Sequence, residues 1–197
     1  ARSIYIQMIL VNGDSFTAGE ESTVKWPSLI PDTVNIAQSG ASNDYICRTT
    51  VGYIENSSNV VDAVIIAWTS PNRIEIGSKH LTPTSQRKYG KVVDEIFGDW
   101  NDWWAGNKFI SQVKMMSAYL KMNNIPFLFM STFDIQQMDL SEAFNMPQEY
   151  LGWKEREGIV EWMGNCPKGP GGHPLEQGQI KIGLKIYEHI RNLGWVS

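Results

Sequence analysis

Short apolar runs recur along the chain, each closed by glycine, proline or small polar residues. Residues 4–11 read Ile-Tyr-Ile-Gln-Met-Ile-Leu-Val and stop at Asn12-Gly13, which predicts a buried strand. Residues 33–37 predict a second strand. Residues 60–68 are almost continuously apolar, as expected of a strand covered on both faces, and they end at Thr69-Ser70-Pro71-Asn72-Arg73, where proline cannot extend a ladder. Residues 125–130 predict another strand, entered through Pro126, and residues 159–163 read as a short final one. Between them the period changes to that of helices. Ser42 or Asn43 can cap a segment with Tyr45, Ile46, Thr49 and Ile54 on one side. Phe109, Val113, Met116 and Leu120 mark a second helix, and Ile182, Ile186, Ile190 and Leu193 a third. Residues 16–21 predict a short helix or turn, Trp26-Pro27 to Pro31 no long helix, and Ile74-Glu75-Ile76 a short extended piece.

Strands alternating with helices predict an α/β fold, a parallel sheet with helices on both faces. A chain of 197 residues is enough for one full core, and no repeat or linker divides it, so residues 1–197 are expected to form one domain. An aromatic-rich insert lies around 74–107, with Phe97, Trp100, Trp103 and Trp104. The tryptophans predict a small satellite core that ties the insert down, and the rival reading is a platform for a sugar or an acyl chain.

Composition narrows the function classes. The formal net charge of −4, with no Lys/Arg run, gives no electrostatic support for nucleic-acid or anionic-membrane binding. No apolar segment reaches the ~20 residues of a membrane span. The N-terminal apolar run leads straight into Gly13-Asp14-Ser15 and reads as a core strand, not a signal peptide. Location stays open between the cytoplasm, a larger particle and export with a leader removed. Cys47 and Cys166 lack metal-type spacing and are expected to be free thiols, with one disulfide as the minority reading.

In a parallel sheet the loops at the carboxyl ends of the strands meet on one edge. Here they carry Ser15, then Gly40 with Asn43, then Asn72 and Arg73, and finally His173 in the irregular stretch 167–174. These residue types suit acyl transfer. A serine hydroxyl needs a base, which histidine supplies near neutral pH. The oxyanion of a tetrahedral intermediate needs donors already aimed at it, and Ser15 N–H, Gly40 N–H and the Asn72 amide are candidates. Asp14, Asn43 and Arg73 are candidate substrate contacts. Each has a plainer reading: Asp14 or Ser15 as a helix start, Asn43 as a cap, Asn72 as a turn residue. His80 and His189 carry no expected role.

Gly13-Asp14-Ser15-Phe16-Thr17-Ala18-Gly19, Gly40-Ala41-Ser42-Asn43, Ser70-Pro71-Asn72 and His173-Pro174 resemble, in order, the blocks of the SGNH (GDSL-like) hydrolase superfamily of esterases, lipases and carbohydrate deacetylases. The resemblance implies a three-layer α/β/α, flavodoxin-like fold with a central parallel sheet of about five strands. It implies Ser15 as nucleophile, His173 as base, and Gly40 and Asn72 in the oxyanion hole, with no cofactor or metal. Two positions depart from the pattern. Pro170 stands where the family usually has an aspartate, and no Asp or Glu occurs between Glu161 and His173. A Ser–His dyad, a backbone carbonyl of Lys168, Gly169 or Pro170, Asp134 or Glu176 are the alternatives for orienting the imidazole. Arg73 replaces a second aspartate; it can hold a substrate carboxylate or phosphate, or pair with Glu75 or Asp44. The expected activity is hydrolysis of a small polar ester, such as an O-acetylated sugar, through an acyl-serine intermediate. The rivals are an acyltransferase on the same scaffold and a non-catalytic binding or structural protein that keeps the fold.

Overall fold

The computed structural model describes residues 6–77, 79–82, 90–98, 102–133 and 147–197. Elements follow in the order β1 (Ile9–Asn12), α1 (Ser15–Ala18), a 3-10 turn (Trp26–Leu29), β2 (Thr33–Asn35), α2 (Asn43–Asn56), β3 (Ala63–Trp68), β4 (Ile74–Ile76), β5 (Lys79–Leu81), α3 (Lys91–Phe97), α4 (Asp102–Met122), β6 (Phe127–Ser131), α5 (Ile159–Met163) and α6 (Glu176–Asn192). The central sheet is parallel in the order β2-β1-β3-β6, with Val11 opposite both Asn35 and Ile65, and Ile66 opposite Phe129. Four strands are thus present among the described residues where about five were expected. Next to β6 a single parallel bridge, Phe129 to Tyr150, occupies the outer edge.

The continuous apolar runs are strands buried on both faces. Every residue of β1, β3 and β6 is buried. Alternation then sorts the side chains. Ile9, Val11, Ala63, Ile65, Ala67, Leu128 and Met130 pack under Trp26, α5 and α6, where Ile182, Ile186 and Ile190 face inward. Leu10, Val64, Ile66, Trp68, Phe127 and Phe129 pack under α2 and α4, against Ile46, Phe109, Val113, Met116 and Leu120. Each fully buried side chain of this size removes about 1.5–3 kcal/mol worth of apolar surface from water, so three layers form around one sheet.

Two expectations change. Residues 159–163 form the helix α5, not a strand: Ile159, Trp162 and Met163 are buried at helical spacing, and Glu161 Oε2 accepts from Gly158 N–H at 2.7 Å to close the first turn. In the 74–107 insert the extended piece at Ile74–Ile76 forms as expected: it is β4, paired antiparallel with β5, and α3 follows. Trp103 and Trp104 are 56% and 46% exposed on the first turn of α4, so these two do not form a satellite core; Trp100 lies outside the described residues. Cys47 and Cys166 are free thiols, and burial pushes the Cys47 thiol up to about 12. Among the described residues no helix is long and apolar enough to cross a membrane.

Gly13 joins β1 to α1, and space rather than a left-handed φ explains it. Its φ lies outside the positive range. A Cβ there would stand 2.8 Å from Thr17 Cβ and 3.0 Å from the Ala67 carbonyl oxygen. Gly13→Ala is therefore expected to cost about 1–3 kcal/mol through overpacking, read as a lower denaturant midpoint with an unchanged m-value.

Candidate active site

The site is built at the carboxyl ends of β1, β3 and β6. Asn12, the last residue of β1, is buried and ties this end to α2: its Nδ2 donates to Thr49 Oγ1 and Thr50 Oγ1, both at 2.9 Å, and to Ile46 O at 3.1 Å. Its Oδ1 accepts from Gly13 N–H at 2.8 Å, which fixes the turn. Asp14 is then the N-cap of α1, accepting from Phe16 N–H at 3.1 Å, and Ser15 is the first helical residue, 3% exposed. The plainer reading of the motif as a helix start thus belongs to Asp14, which leaves the Ser15 hydroxyl free of capping duty.

Asp14 does more than cap. It is fully buried, and its carboxylate accepts from Thr69 Oγ1 at 2.7 Å, from Thr132 Oγ1 at 3.3 Å and from Arg73 Nη1 at 3.4 Å. One side chain therefore joins the ends of β1, β3 and β6. Burial pushes its carboxyl above the ordinary aspartate range, opposed first by the Arg73 charge and then by the hydrogen bonds. All these partners are protein groups, so the structure turns Asp14 inward rather than toward a substrate.

Asn43 is likewise turned inward. Ser42 caps α2, accepting from Tyr45 N–H, and the 2% exposed Asn43 clamps the backbone of Thr69. Its Nδ2 donates to Thr69 O at 3.0 Å and its Oδ1 accepts from Thr69 N–H at 2.9 Å. Thr69 begins the turn that presents Asn72, whose N–H donates to Ser70 Oγ at 3.3 Å. Gly40 sits in the left-handed region at φ 78°, and a Cβ there would meet nothing within 4 Å. Arg73 pairs with Asp14, not with Glu75 or Asp44; those carboxylates are taken by Arg48 and Lys108, each at 2.6 Å. The Arg73 guanidinium also lies 5.2 Å above the Phe133 ring.

His173 comes from a tightly folded loop. Gly169 N–H donates to His173 O, and Gly172 N–H to Gly169 O, both at 2.9 Å, with Gly172 at φ 84°. The imidazole packs edge-on against Phe16, the residue after the serine, with centroids 5.4 Å apart. Gln179 and Glu176 of α6 hold the first loop beside it: Gln179 Nε2 donates to Phe16 O at 3.1 Å, and Glu176 Oε1 accepts from Thr23 Oγ1 at 2.9 Å. The His173 ring has a carboxylate on each side. Nδ1 is 2.8 Å from Glu21 Oε2, and Nε2 is 3.7 Å from Glu20 Oε2. No hydrogen bond joins Ser15 Oγ to His173 among the described residues.

Ser15, Gly40, Asn72 and His173 thus all lie in loops or helix starts that follow the carboxyl ends of strands or precede α6, as their order along the chain implies. Glu21 was not among the expected partners of His173. Glu176 is engaged with Thr23, and Asp134 lies outside the described residues. The available signal was indirect. An acid-free loop around His173 obliges any carboxylate to come from elsewhere, and Glu20-Glu21 are the acids next to the serine block.

No family model matches the chain. No curated protein matches it either. Solved structures do. TesA superposes with a TM-score of 0.57 at 16% identity, over 95% of this chain and 99% of that one. The psychrotrophic esterase EstA from Pseudoalteromonas sp., in a structure inhibited by monoethylphosphonate, gives 0.54 at 15% identity, over 95% and 98%. A member of the lipolytic protein G-D-S-L family from Veillonella parvula gives 0.50 at 12% identity, over 92% and 96%.

Proposed function

We propose, from the premise that this chain has the fold of the SGNH (GDSL-like) hydrolase superfamily, that it is a serine ester hydrolase. The observation that carries the reading is the placement of the two groups that the chemistry needs. Ser15 opens the helix after β1, and the His173 ring packs on the adjacent Phe16. The parallel order β2-β1-β3-β6, with the isolated Phe129–Tyr150 bridge beside β6, supports a flavodoxin-like reading of the sheet.

Ser15 Oγ attacks the ester carbonyl while His173 Nε2 takes its proton. The developing oxyanion is held by Ser15 N–H, which has no intrahelical acceptor at the first helical position, with Gly40 N–H and the Asn72 amide. The open space over Gly40 supports close approach of the acyl group. His173 then protonates the leaving alcohol, and water repeats the sequence on the acyl-serine. The His173 ring turns toward Ser15 as substrate enters, since catalytic hydrogen bonds often tighten only in the Michaelis complex. The favoured substrate is a small polar ester such as an O-acetylated sugar, with Arg73 at the margin of the site.

A fluorophosphonate tests the nucleophile, base and pocket together. The expected result is a single adduct, mapped by mass spectrometry to the peptide containing Ser15. Protein that stays unmodified, or an adduct on another residue, overturns the reading.

A further inference from the structure

We infer that Glu21, from the loop that leaves the nucleophile helix, is the carboxylate that positions His173, in place of the aspartate missing at Pro170. The assignment rests on the serine-hydrolase reading above. It would make Ser15, His173 and Glu21 a catalytic set in which the acid and the nucleophile share one loop.

The geometry is specific. Glu21 Oε1 accepts from Gly171 N–H at 2.8 Å, while Oε2 accepts from His173 Nδ1 at 2.8 Å and from His173 N–H at 3.3 Å. An ionised carboxylate only accepts, so the ring nitrogen that faces it carries the hydrogen. In the neutral ring this leaves the lone pair on Nε2, the form a general base requires. The carboxylate is held in that state: the Gly171 N–H first, and the His173 ring second, keep Glu21 below the usual glutamate range.

The surrounding backbone fits this side chain. A Cβ on Gly169 would lie 2.7 Å from the Glu21 carboxyl carbon, and one on Gly171 would lie 3.0 Å from both Glu21 Oε2 and His173 Nδ1. The two glycines leave a cradle that the carboxylate fills. Glu21 itself sits at φ 64°, a left-handed conformation uncommon for a residue with a Cβ, and strain of this kind persists where surrounding contacts hold it. Gly19 N–H and Glu20 N–H both donate to Ser15 O at 3.0 Å, so the strained turn is anchored on the nucleophile residue. The other charged group facing the ring, Glu20, lies beyond hydrogen-bond distance from Nε2 at 3.7 Å.

In the reaction, the Ser15 proton moves to Nε2 as Oγ bonds to the carbonyl carbon. The imidazolium stands between Ser15 and Glu21 without passing its Nδ1 proton on. Nε2 then gives its proton to the alkoxide as the C–O bond breaks. Glu21 fixes the tautomer and lowers the energy of the charged ring, which a backbone carbonyl does less well.

The test compares Glu21→Gln, Glu21→Asp, Glu20→Gln and Gly169→Ala with the parent on p-nitrophenyl acetate, following kcat, KM and the pH profile of kcat/KM. Glu21→Gln is expected to lower kcat about a hundredfold with little change in KM. It also moves the acidic limb of the profile to lower pH, because the imidazolium loses the negative charge beside it. Glu21→Asp restores part of kcat and of the limb, Gly169→Ala lowers kcat by displacing the carboxylate, and Glu20→Gln stays within a few-fold of the parent. Parent-like kcat and profile in Glu21→Gln overturn the assignment. So does a loss that follows a lowered melting midpoint and leaves the limb in place, or a loss found in Glu20→Gln instead. Ser15→Ala separates the two levels: if it keeps turnover, the serine reading itself falls; if it abolishes turnover while Glu21→Gln does not, only Glu21 is misassigned.

Discussion

Replacing Ser15 with alanine is expected to lower kcat for p-nitrophenyl acetate by about 10⁴-fold or more, without a loss of folding stability. The two halves of the prediction have separate causes. The hydroxyl is the only protein group in the proposed mechanism that bonds to the acyl carbon. Its loss returns the reaction to water, helped only by binding and the oxyanion donors, and 10⁴-fold is about 5.5 kcal/mol of barrier. Stability is kept because the helix start does not depend on the serine: Asp14 caps α1, and alanine is at home at a helical position. A simple capping role would give the reverse pattern, a lower melting midpoint with turnover unchanged. Steady-state kinetics and a thermal melt on the same preparation decide between them. Retained turnover would sink the nucleophile, and a parent protein inactive on all simple esters would favour a binding protein that keeps the fold.

Much of this site can be read from the chain because the signals involved are local. Residues 60–68 are apolar without interruption, and they form β3, buried throughout. Phe109, Val113, Met116 and Leu120 repeat at helical spacing, and they face the sheet from α4. The places of Ser15, Gly40 and Asn72 after strands, and of His173 before α6, follow from the order of elements, and a parallel sheet brings its carboxyl-end loops to one edge; their roles in the chemistry come from residue type and from the resemblance, and stand as proposals. What escapes the sequence depends on contacts between distant residues. Glu21 reaches His173 only because its backbone turns left-handed and because Gly169 and Gly171 leave room for it. Neither condition shows in the spacing of either segment. Ile159–Met163 is apolar enough for a strand, and burial of Ile159, Trp162 and Met163 against α6 and the sheet selects the helix. Arg73 has acidic neighbours in Glu75 and Asp44, yet it pairs with Asp14, because those neighbours meet Arg48 and Lys108 first.

Asp14→Ala is expected to cost about 3–5 kcal/mol of folding stability, since each buried group left without its hydrogen-bond partner costs about 1–3 kcal/mol. The substitution strands several groups at once. Thr69 and Thr132 lose the acceptor for their hydroxyls, Phe16 N–H loses its cap, and the Arg73 side chain, only 17% exposed, loses its counter-charge. Three strand ends then lose the side chain that joins them. Asp14→Asn keeps the shape and an acceptor for the cap, so it costs less, and its deficit depends on pH. Burial raises the Asp14 carboxyl in the folded protein. The folded state therefore binds the proton more tightly than the unfolded chain, and the stability from this group is full at acid pH. It is lost as pH rises through the folded value, where the buried group must ionise. Asparagine has no such loss. The gap between parent and Asp14→Asn should narrow from about pH 4 toward neutrality, measured by denaturant unfolding at each pH. A gap that widens over that range would mean that Arg73 and the hydroxyls outweigh burial and hold Asp14 ionised. Asp14→Ala within about 1 kcal/mol of the parent would mean that the strand ends are held by other contacts.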